Sequence, residues 1–463
     1  MNQQRHLPES LTTTLDCDRL FSGIWIRWSA LTQSEKVVCT LIALIPLWWS
    51  LGWKHFLLLS AASIIFYEIQ QHGSGGLQRP SLPVITALAF PVYTLICRYF
   101  YNEYNNETFS PNAVLSVLNS WAGFAVILWY IQSKKIRVRL EVVAWAFSVV
   151  VTLMVMLWVV IYFVWHQGHY DPPRSLYGLL TGKAGEYEPG MGNSNFLMPY
   201  FPTDESLPGL VRYVYFFPGP EALALFMAFT VLLALDIRNR LWSLLLFGAS
   251  IFLLLTSGTR AVWLSLPIVL TVRYLLTAGK VFGASFLYGL IGFVSFVTLS
   301  LPAVTNKVLS SLTGTAQAAG NARADSTEVR GEIYRLTIKG ISEASDPVLL
   351  FGHVVTGEGV LPGYDPAVVG SHSFILGTLL YRAGLVGTGI FLTYWISLLL
   401  WFYKTRADRP MCLLMFIVFS FTFATMELEM PVMPITLICA MLRTPTLNLS
   451  DRDRYRQVSY FTG

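Results

Sequence analysis

Charged residues are scarce in this chain. Asp, Glu, Lys and Arg make up 13% of its 463 residues, whereas apolar residues make up 54%. Soluble domains carry about 25% charged residues, so this chain has too few charges to cover a water-facing surface of its size. A soluble globular protein is therefore excluded. The composition predicts an all-α, polytopic membrane protein whose helices contact a lipid bilayer.

Cysteine is also sparse, and its five residues share no pattern: Cys17, Cys39, Cys97, Cys412 and Cys439. No pair has the short spacing that is typical of a metal site or a disulfide framework. We therefore expect no metal, and we expect the cysteines to be small buried apolar residues. Nucleotide-binding loops, nucleophile elbows and zinc-protease motifs are missing as well. The sequence thus predicts neither a cofactor nor a nucleic-acid partner.

Long apolar runs fill most of the remaining sequence. A membrane-spanning helix needs about 20 apolar residues, or fewer when it is packed. The runs predict about twelve spans, at about 36–52, 56–67, 82–97, 112–131, 142–165, 218–235, 241–257, 261–278, 281–301, 372–403, 410–426 and 431–443. They define a membrane domain over 36–443, with polar tails at 1–35 and 444–463. Because the chain starts with a polar segment, we expect no cleavable signal peptide.

Positive charges mark alternate connectors between these runs. Four basic connectors stand out: 132–139, 236–240, 404–409 and the tail from 443 to 456. The connectors at 102–110 and 426–430 are acidic or polar instead. Since Lys and Arg favour the cytoplasmic side of a membrane, both termini are predicted to be cytoplasmic.

Two long connectors, at about 166–217 and 302–371, would then lie on the outer face. Loops of this length are often functional. The first is rich in Gly, Pro and Tyr. The second contains a helical pattern from Ser326 to Ser345, which ends at the helix stop Asp346-Pro347. We therefore expect a large extracytoplasmic loop that contains short helices.

The candidate chemical groups lie on this outer side. They are Arg212, Arg260, Arg330 and His372. A guanidinium donates two parallel hydrogen bonds to a phosphate and stays charged, and a histidine can take a proton from a hydroxyl near neutral pH. Together they predict a site for a lipid-linked diphosphate.

Each candidate also has a plainer interpretation. Arg212 and Arg260 could be interfacial anchors, Arg330 could form a surface ion pair on a helix, and His372 could only cap one. His353 is a weaker candidate for the proton acceptor.

Three motifs of the second half resemble a known family. They are Thr256-Ser257-Gly258-Thr259-Arg260 at the head of an apolar run, Arg330 followed by Asp346-Pro347 and Phe351-Gly352, and His372-Ser373 followed by Gly384-Leu385-Val386-Gly387. In this order and spacing, over about 210–400, the chain resembles the O-antigen ligase and polymerase superfamily of bacterial envelope glycosyltransferases. One difference is Arg382, which stands where members often have an acidic residue.

The resemblance implies an inverting, metal-independent glycosyltransferase of the bacterial inner membrane, with its active site on the periplasmic face. The donor would be a glycan on undecaprenyl diphosphate, and the acceptor either lipid A core (ligase) or another lipid-linked repeat unit (polymerase). The resemblance implies that Arg260 and Arg330 neutralise the leaving diphosphate and that His372 is the general base. Arg212 would be a third cation for the diphosphate.

Two other functions stay open. A flippase or transporter of lipid-linked oligosaccharides would carry charges in the middle of its spans and consist of two related halves. A peptidoglycan-type polymerase would use a catalytic acid in an outer loop, for which Glu358 and Asp365 are available. The few charges within the apolar runs and the unlike halves favour the glycosyltransferase of the O-antigen type.

Overall fold

A computed structural model of the protein describes residues 20–53, 55–72, 77–164, 172–181, 196–201, 211–300, 324–360, 367–406, 409–427 and 431–443. These residues are mostly helical, which confirms the expected helical class. The α-helices are α1 (Gln33–Ala43), α2 (Ile45–Leu51), α3 (Phe56–His72), α4 (Leu82–Tyr104), α5 (Pro111–Val117), α6 (Gly123–Lys134), α7 (Leu140–Phe163), α8 (Leu176–Thr181), α9 (Pro220–Ala234), α10 (Arg240–Thr256), α11 (Arg260–Phe282), α12 (Ala284–Ser300), α13 (Ala324–Ser342), α14 (Asp346–Phe351), α15 (Gly384–Lys404), α16 (Pro410–Thr422) and α17 (Val432–Met441).

Shorter elements complete the described fold. There are two π-helices, Leu118–Ala122 and Phe374–Ala383, and a 3-10 turn at Trp28–Ala30. Six two-residue strands form three pairs: antiparallel β1 (Phe21–Ser22) with β2 (Trp25–Ile26), parallel β3 (Val138–Arg139) with β6 (Leu442–Arg443), and antiparallel β4 (Tyr200–Phe201) with β5 (Arg212–Tyr213).

Fewer helices than expected are long and apolar enough to cross a membrane. Within the described ranges, four meet this condition: Leu82–Tyr104, Leu140–Phe163, Arg260–Gly279 and Phe374–Lys404. A fifth is reached if α1 and α2, which meet at an angle of 58°, form one broken span. The expectation of about twelve spans is therefore not supported, although these apolar helices favour association with a membrane.

Helix length explains the difference. Five further apolar helices contain only 10–17 residues. α9, for example, has 15 residues, and at 1.5 Å per residue it rises about 22 Å, less than the roughly 30 Å of bilayer hydrocarbon. Pro220 and Pro410 stand in the first turns of α9 and α16, where proline favours a helix start. The apolar runs of the sequence do not show where their helices begin and end.

Helix α9 forms the centre of the bundle. It packs against α7, α10, α11, α16 and α17. Except for Glu221 in its first turn, every residue from Pro220 to Ala234 is buried. A helix that is apolar on all sides is stable when other helices enclose it. Glu221 is thus the one charged group that α9 carries, at the end of the helix.

The basic connectors meet at one end of the bundle. Strand pairing places Arg139 beside Arg443. The Arg139 Nε also lies 2.7 Å from a carboxylate oxygen of Glu35. Buried Arg409 donates to the carbonyl of Cys439 at 3.0 Å. The connectors at 132–139 and 404–409 and the start of the C-terminal basic segment therefore share an end, as their alternation along the sequence predicts.

The expected terminal tails are only partly described, because residues 1–19 and 444–463 lie outside the described ranges. The rest of the N-terminal segment is folded. Its β1–β2 hairpin packs on α7, where the Trp145 indole donates to the Ile24 carbonyl at 2.9 Å. Helix α1 begins at Gln33, two residues before the expected end of the tail.

The described parts of the two long connectors contain short elements. The helical pattern expected from Ser326 to Ser345 forms α13, which ends at Ser342. Asp346-Pro347 begins the short helix α14 instead of only ending the previous one. Proline is favoured in the first turn of a helix, because the amide hydrogen it lacks would have no partner there.

Close backbone contact joins the end of α14 to the start of α15. Gly352 and Gly384 both have a positive φ, +83° and +64°. A Cβ on Gly384 would lie 2.4 Å from the Gly352 nitrogen and 2.5 Å from the Leu350 carbonyl oxygen. Only glycine fits both the space and the backbone conformation. This contact anchors the loop that leads from α14 towards His372.

We expect Gly384→Ala to destabilise the protein by about 1–3 kcal/mol from backbone strain alone, with steric overlap adding to it. The matched control is Gly389→Ala in the same helix, because a Cβ there meets nothing within 4 Å. Alanine favours a helix, so the control should unfold at the wild-type temperature or slightly above it. Thermal unfolding in detergent measures both variants. Equal unfolding temperatures would contradict the close contact.

Candidate functional site

His372 stands at the entrance of the span Phe374–Lys404, with a strained backbone. Its φ is +61°, which is uncommon for a residue other than glycine and often marks a functional position. The next residue, Ser373, caps the π-helix by accepting a hydrogen bond from the Leu376 amide at 3.2 Å. The backbone carbonyl of His372 accepts the Tyr334 hydroxyl at 3.1 Å. These bonds hold the carbonyl of His372 and the residue that follows it.

The hydroxyl of Ser371 determines the tautomer of His372. Ser371 Oγ lies 2.7 Å from the carbonyl oxygen of Val368 and 2.7 Å from His372 Nδ1. A carbonyl only accepts, and a hydroxyl has one hydrogen to donate. Ser371 therefore donates to Val368 and accepts from Nδ1–H. In the neutral imidazole this leaves the lone pair on Nε2, which is the nitrogen that can take a proton.

The surroundings of His372 favour its neutral form. Burial lowers the pKa of His372 below its ordinary value, and the positive charge of Arg330 lowers that pKa further. The carboxylates of Glu427 and Glu221 oppose this shift. Three charged side chains thus act on the imidazole from different parts of the chain. Because the net effect is a lowered pKa, the neutral form of the imidazole, which can act as a base, is favoured.

Helix α13 directs Arg330 and Tyr334 towards this site by its periodicity. Ile333 and Thr337 are buried on its inner side, and the Thr337 hydroxyl accepts a hydrogen bond from the Gly370 amide at 2.9 Å. Residues 330, 334 and 337 recur every three or four positions, which places them on one side of a helix. Arg330 therefore shares the side of α13 from which Tyr334 bonds the His372 carbonyl, and its charge acts on the imidazole.

The exposed side of α13 carries an ion pair of its own. Arg335 Nη2 lies 2.6 Å from a Glu332 carboxylate oxygen, and the two side chains are 63% and 43% exposed. The surface ion pair that the sequence offered as a plainer role for Arg330 is thus formed by Arg335.

Arg212 connects the start of α9 with the turn at Gly258. Its Nη2 lies 3.3 Å from a carboxylate oxygen of Glu221, and its Nε donates to the carbonyl of Ser257 at 3.3 Å. Gly258 has a φ of +67°, and a Cβ there would lie 3.2 Å from Arg212 Nε. The absence of a side chain at Gly258 lets the guanidinium lie against the turn. Arg260 begins α11 immediately after that turn.

The structure brings the predicted residues together to different degrees. Arg330 acts directly on His372. Arg212 is connected to His372 through Glu221, since Glu221 both pairs with Arg212 and acts on His372. Arg260 is connected to Arg212 through the turn that precedes α11.

Four contributing residues were not assigned a role from the sequence: Glu221, Tyr334, Ser371 and Glu427. The acidic connector around Glu427 indicates only orientation in the sequence, and no motif of the sequence analysis includes Glu221. Ser371 stands directly before His372, so the sequence shows that the two residues are neighbours. The sequence does not show the hydrogen bond from His372 Nδ1 to Ser371, because that bond depends on the backbone conformation.

The other candidates have structural roles or lie elsewhere. The His353 ring stacks on the ring of Tyr381, with centroids 4.1 Å apart and planes inclined by 17°. Glu358 belongs to a small hairpin, where its carbonyl accepts the Val369 amide at 3.0 Å. Asp365 lies outside the described residues. In the described part of the chain, no group of three His, Cys, Asp or Glu side chains is arranged to hold a metal ion.

We expect Arg330→Gln to raise the pKa of His372, because the variant removes a positive charge that lowers that pKa. Arg335→Gln on the exposed side of α13 is the matched control and should leave this pKa unchanged. NMR titration of isotope-labelled histidine in detergent-solubilised protein measures both, with His372→Gln identifying the resonance. A pKa that falls, or does not move, in Arg330→Gln would contradict the assigned interaction.

We also expect Ser371→Ala to change the tautomer of neutral His372, because the variant removes the oxygen that accepts Nδ1–H. The nitrogen chemical shifts of the ring distinguish the two tautomers directly. Ser342→Ala, which alters a hydroxyl on the exposed part of α13, is the control. If the proton stays on Nδ1 without Ser371, another group must hold it there.

Comparison with known proteins does not extend this description. Neither models of known protein families nor curated proteins match the chain. The resemblance to the O-antigen ligase and polymerase superfamily therefore depends on the sequence motifs alone.

Proposed function

We propose that the protein is a membrane glycosyltransferase that moves a glycan from a polyprenyl-diphosphate carrier, undecaprenyl diphosphate by resemblance, to an acceptor hydroxyl. One observation carries the proposal. A partly buried histidine has its Nδ1 proton bound by Ser371, and burial together with the charge of Arg330 lowers its pKa. A base of this kind beside a cation suits a reaction in which a hydroxyl loses a proton while an anion departs.

The proposed step is a direct displacement at the anomeric carbon. The acceptor hydroxyl oxygen bonds to the anomeric carbon of the donor sugar, and its proton passes to Nε2 of His372. The bond between that carbon and the diphosphate oxygen breaks, and the diphosphate keeps the electron pair. Attack opposite the leaving group inverts the anomeric centre. The imidazolium then returns its proton to solvent.

The arginines are proposed to stabilise the leaving group. Negative charge grows on the diphosphate as the bond breaks, so cations that are already in place lower the barrier. Among the three arginines, Arg330 is the one whose charge already acts on the imidazole. Arg212 and Arg260 would contribute from the turn at Gly258. Arg212 is held by Glu221, and an incoming phosphate would compete with that carboxylate.

The membrane context is part of the proposal. The isoprenoid tail of the donor would lie against the apolar helices, with the diphosphate at the interface. We infer that the protein belongs to the bacterial inner membrane, with the site on the periplasmic face in the large extracytoplasmic loop and both termini cytoplasmic. The acceptor would be lipid A core for a ligase, or a lipid-linked repeat unit for a polymerase. Basic connectors at the opposite end of the bundle support this orientation.

The test is glycan transfer by the purified protein in detergent with a lipid-diphosphate-linked donor. We expect His372→Ala to reduce the rate by about 10²–10⁴, the usual contribution of a general base. Arg330→Ala should reduce it by about 10²–10³, as for the loss of one charge-stabilising group. The matched control is Arg335→Ala, which breaks an exposed ion pair of the same helix and should change the rate less than about fivefold.

The outcomes separate the candidate functions. Wild-type rates in His372→Ala, at equal folded protein, would remove that residue from the mechanism. Movement of the lipid-linked glycan across vesicles without any transfer would instead indicate a transporter. Products of one added glycan on lipid A core indicate a ligase, and lengthened carrier-linked chains indicate a polymerase.

A further inference from the structure

A short segment after α16, residues 423–427, wraps around the start of the π-helix. The amide of Phe374 donates to the carbonyl of Met426 at 2.8 Å, and the amide of Ile375 donates to the carbonyl of Phe423 at 3.1 Å. These bonds use the first amides of a helix, which have no partner within it. They also attach the segment directly beyond His372.

Two side chains strengthen the attachment. The hydroxyl of Ser373 donates to the carbonyl of Ala424 at 2.9 Å. The hydroxyl of Tyr334 lies 3.5 Å from the carbonyl of Thr425 and also bonds the carbonyl of His372. Ser373, which follows His372, and Tyr334, which bonds the His372 carbonyl, are therefore tied to the segment that carries Glu427.

The carboxylate of Glu427 is held by a cation of the π-helix. Arg382 Nη2 lies 3.4 Å from Glu427 Oε1. The same nitrogen contacts the hydroxyl of Thr378, one turn earlier in the helix. Arg382 thus contacts Thr378 within its own helix and Glu427 in the segment 423–427. The two side chains are 27% and 43% exposed, so water screens the pair only partly.

Charged and titratable groups act on or near His372 from three parts of the chain. Helix α13 contributes Arg330 and the Tyr334 hydroxyl, α9 contributes Glu221, and the segment 423–427 contributes Glu427. Each carboxylate is paired with an arginine. Glu221 is paired with Arg212, and Glu427 with Arg382.

We propose that Glu427 is a positioning residue for His372, and that Arg382 holds the Glu427 carboxylate beside the imidazole. This inference rests on the proposed function. During transfer His372 becomes an imidazolium, and a nearby carboxylate favours that charged form. Glu427 thereby offsets part of the effect of Arg330, which favours the neutral base needed at the start. Because Arg330 favours the neutral imidazole and Glu427 favours the imidazolium, His372 can be neutral before the reaction and still accept the proton during it.

The first arm of the test is Glu427→Gln. Its loss of negative charge should lower the pKa of His372 further. NMR titration of the full chain in detergent measures this pKa. In the transfer assay, kcat should fall about fivefold, because a weaker base assists less. The acidic limb of the kcat/KM profile should move to lower pH. A merely structural glutamate would not move this limb, so an unmoved limb and an unchanged pKa overturn the proposal.

The second arm tests Arg382 through Glu427. Arg382→Gln should shift the pKa of His372 in the same direction by a smaller amount, because the carboxylate is then free to move away. In the Glu427→Gln background the same change should add nothing. An equal shift in both backgrounds would show that Arg382 acts on its own and would overturn its assigned role.

Two further variants keep the test decisive. Glu427→Asp retains the negative charge, so the pKa of His372 should stay near its wild-type value. This variant also serves as the test if Glu427→Gln folds poorly. Glu332→Gln alters the exposed pair on α13 and should change neither readout. The titration needs no substrate. A wild-type protein that transfers no glycan would overturn the proposed function, whereas the NMR shifts would still decide whether Glu427 acts on His372.

Discussion

The properties of this site depend on charge that is partly buried at the end of an apolar bundle. Removal of water disfavours the charged form of an imidazole, and a neighbouring guanidinium disfavours it further. Both effects act on His372, while two carboxylates act against them. Its protonation therefore depends on its burial and on the balance among the charged side chains around it. The Ser371 hydroxyl adds the last constraint by binding Nδ1–H.

Arginine and glutamate alternate around the imidazole for a related reason. A lone, partly buried charge would be costly, and pairing with an opposite charge reduces that cost. Arg212 is paired with Glu221, and Arg382 with Glu427. An anionic ligand that enters such a site replaces contacts that already exist, so the cations need little rearrangement to meet it. Preorganised charge of this kind is what stabilises a leaving group.

Helix α9 explains why an apolar sequence can position polar groups. It is enclosed by five other helices, so its apolar residues need no lipid, and its charged first turn is delivered to the site. The glycines that approach each other at the end of α14 perform a similar task for the loop before His372. Close packing of this kind fixes the candidate residues relative to the helical bundle.

The sequence by itself determined the helical class, the apolar character that favours a membrane and the residue types at the site, because these follow from composition and local order. It also indicated Arg330 and His372 as candidates, which the structure brings together. It could not determine the number of spans, since helix ends depend on packing and on where prolines interrupt a run. Nor could it reveal the tautomer of His372 or the contribution of Glu427. Hydrogen bonds between distant segments decide both, and those segments meet only when the chain is folded.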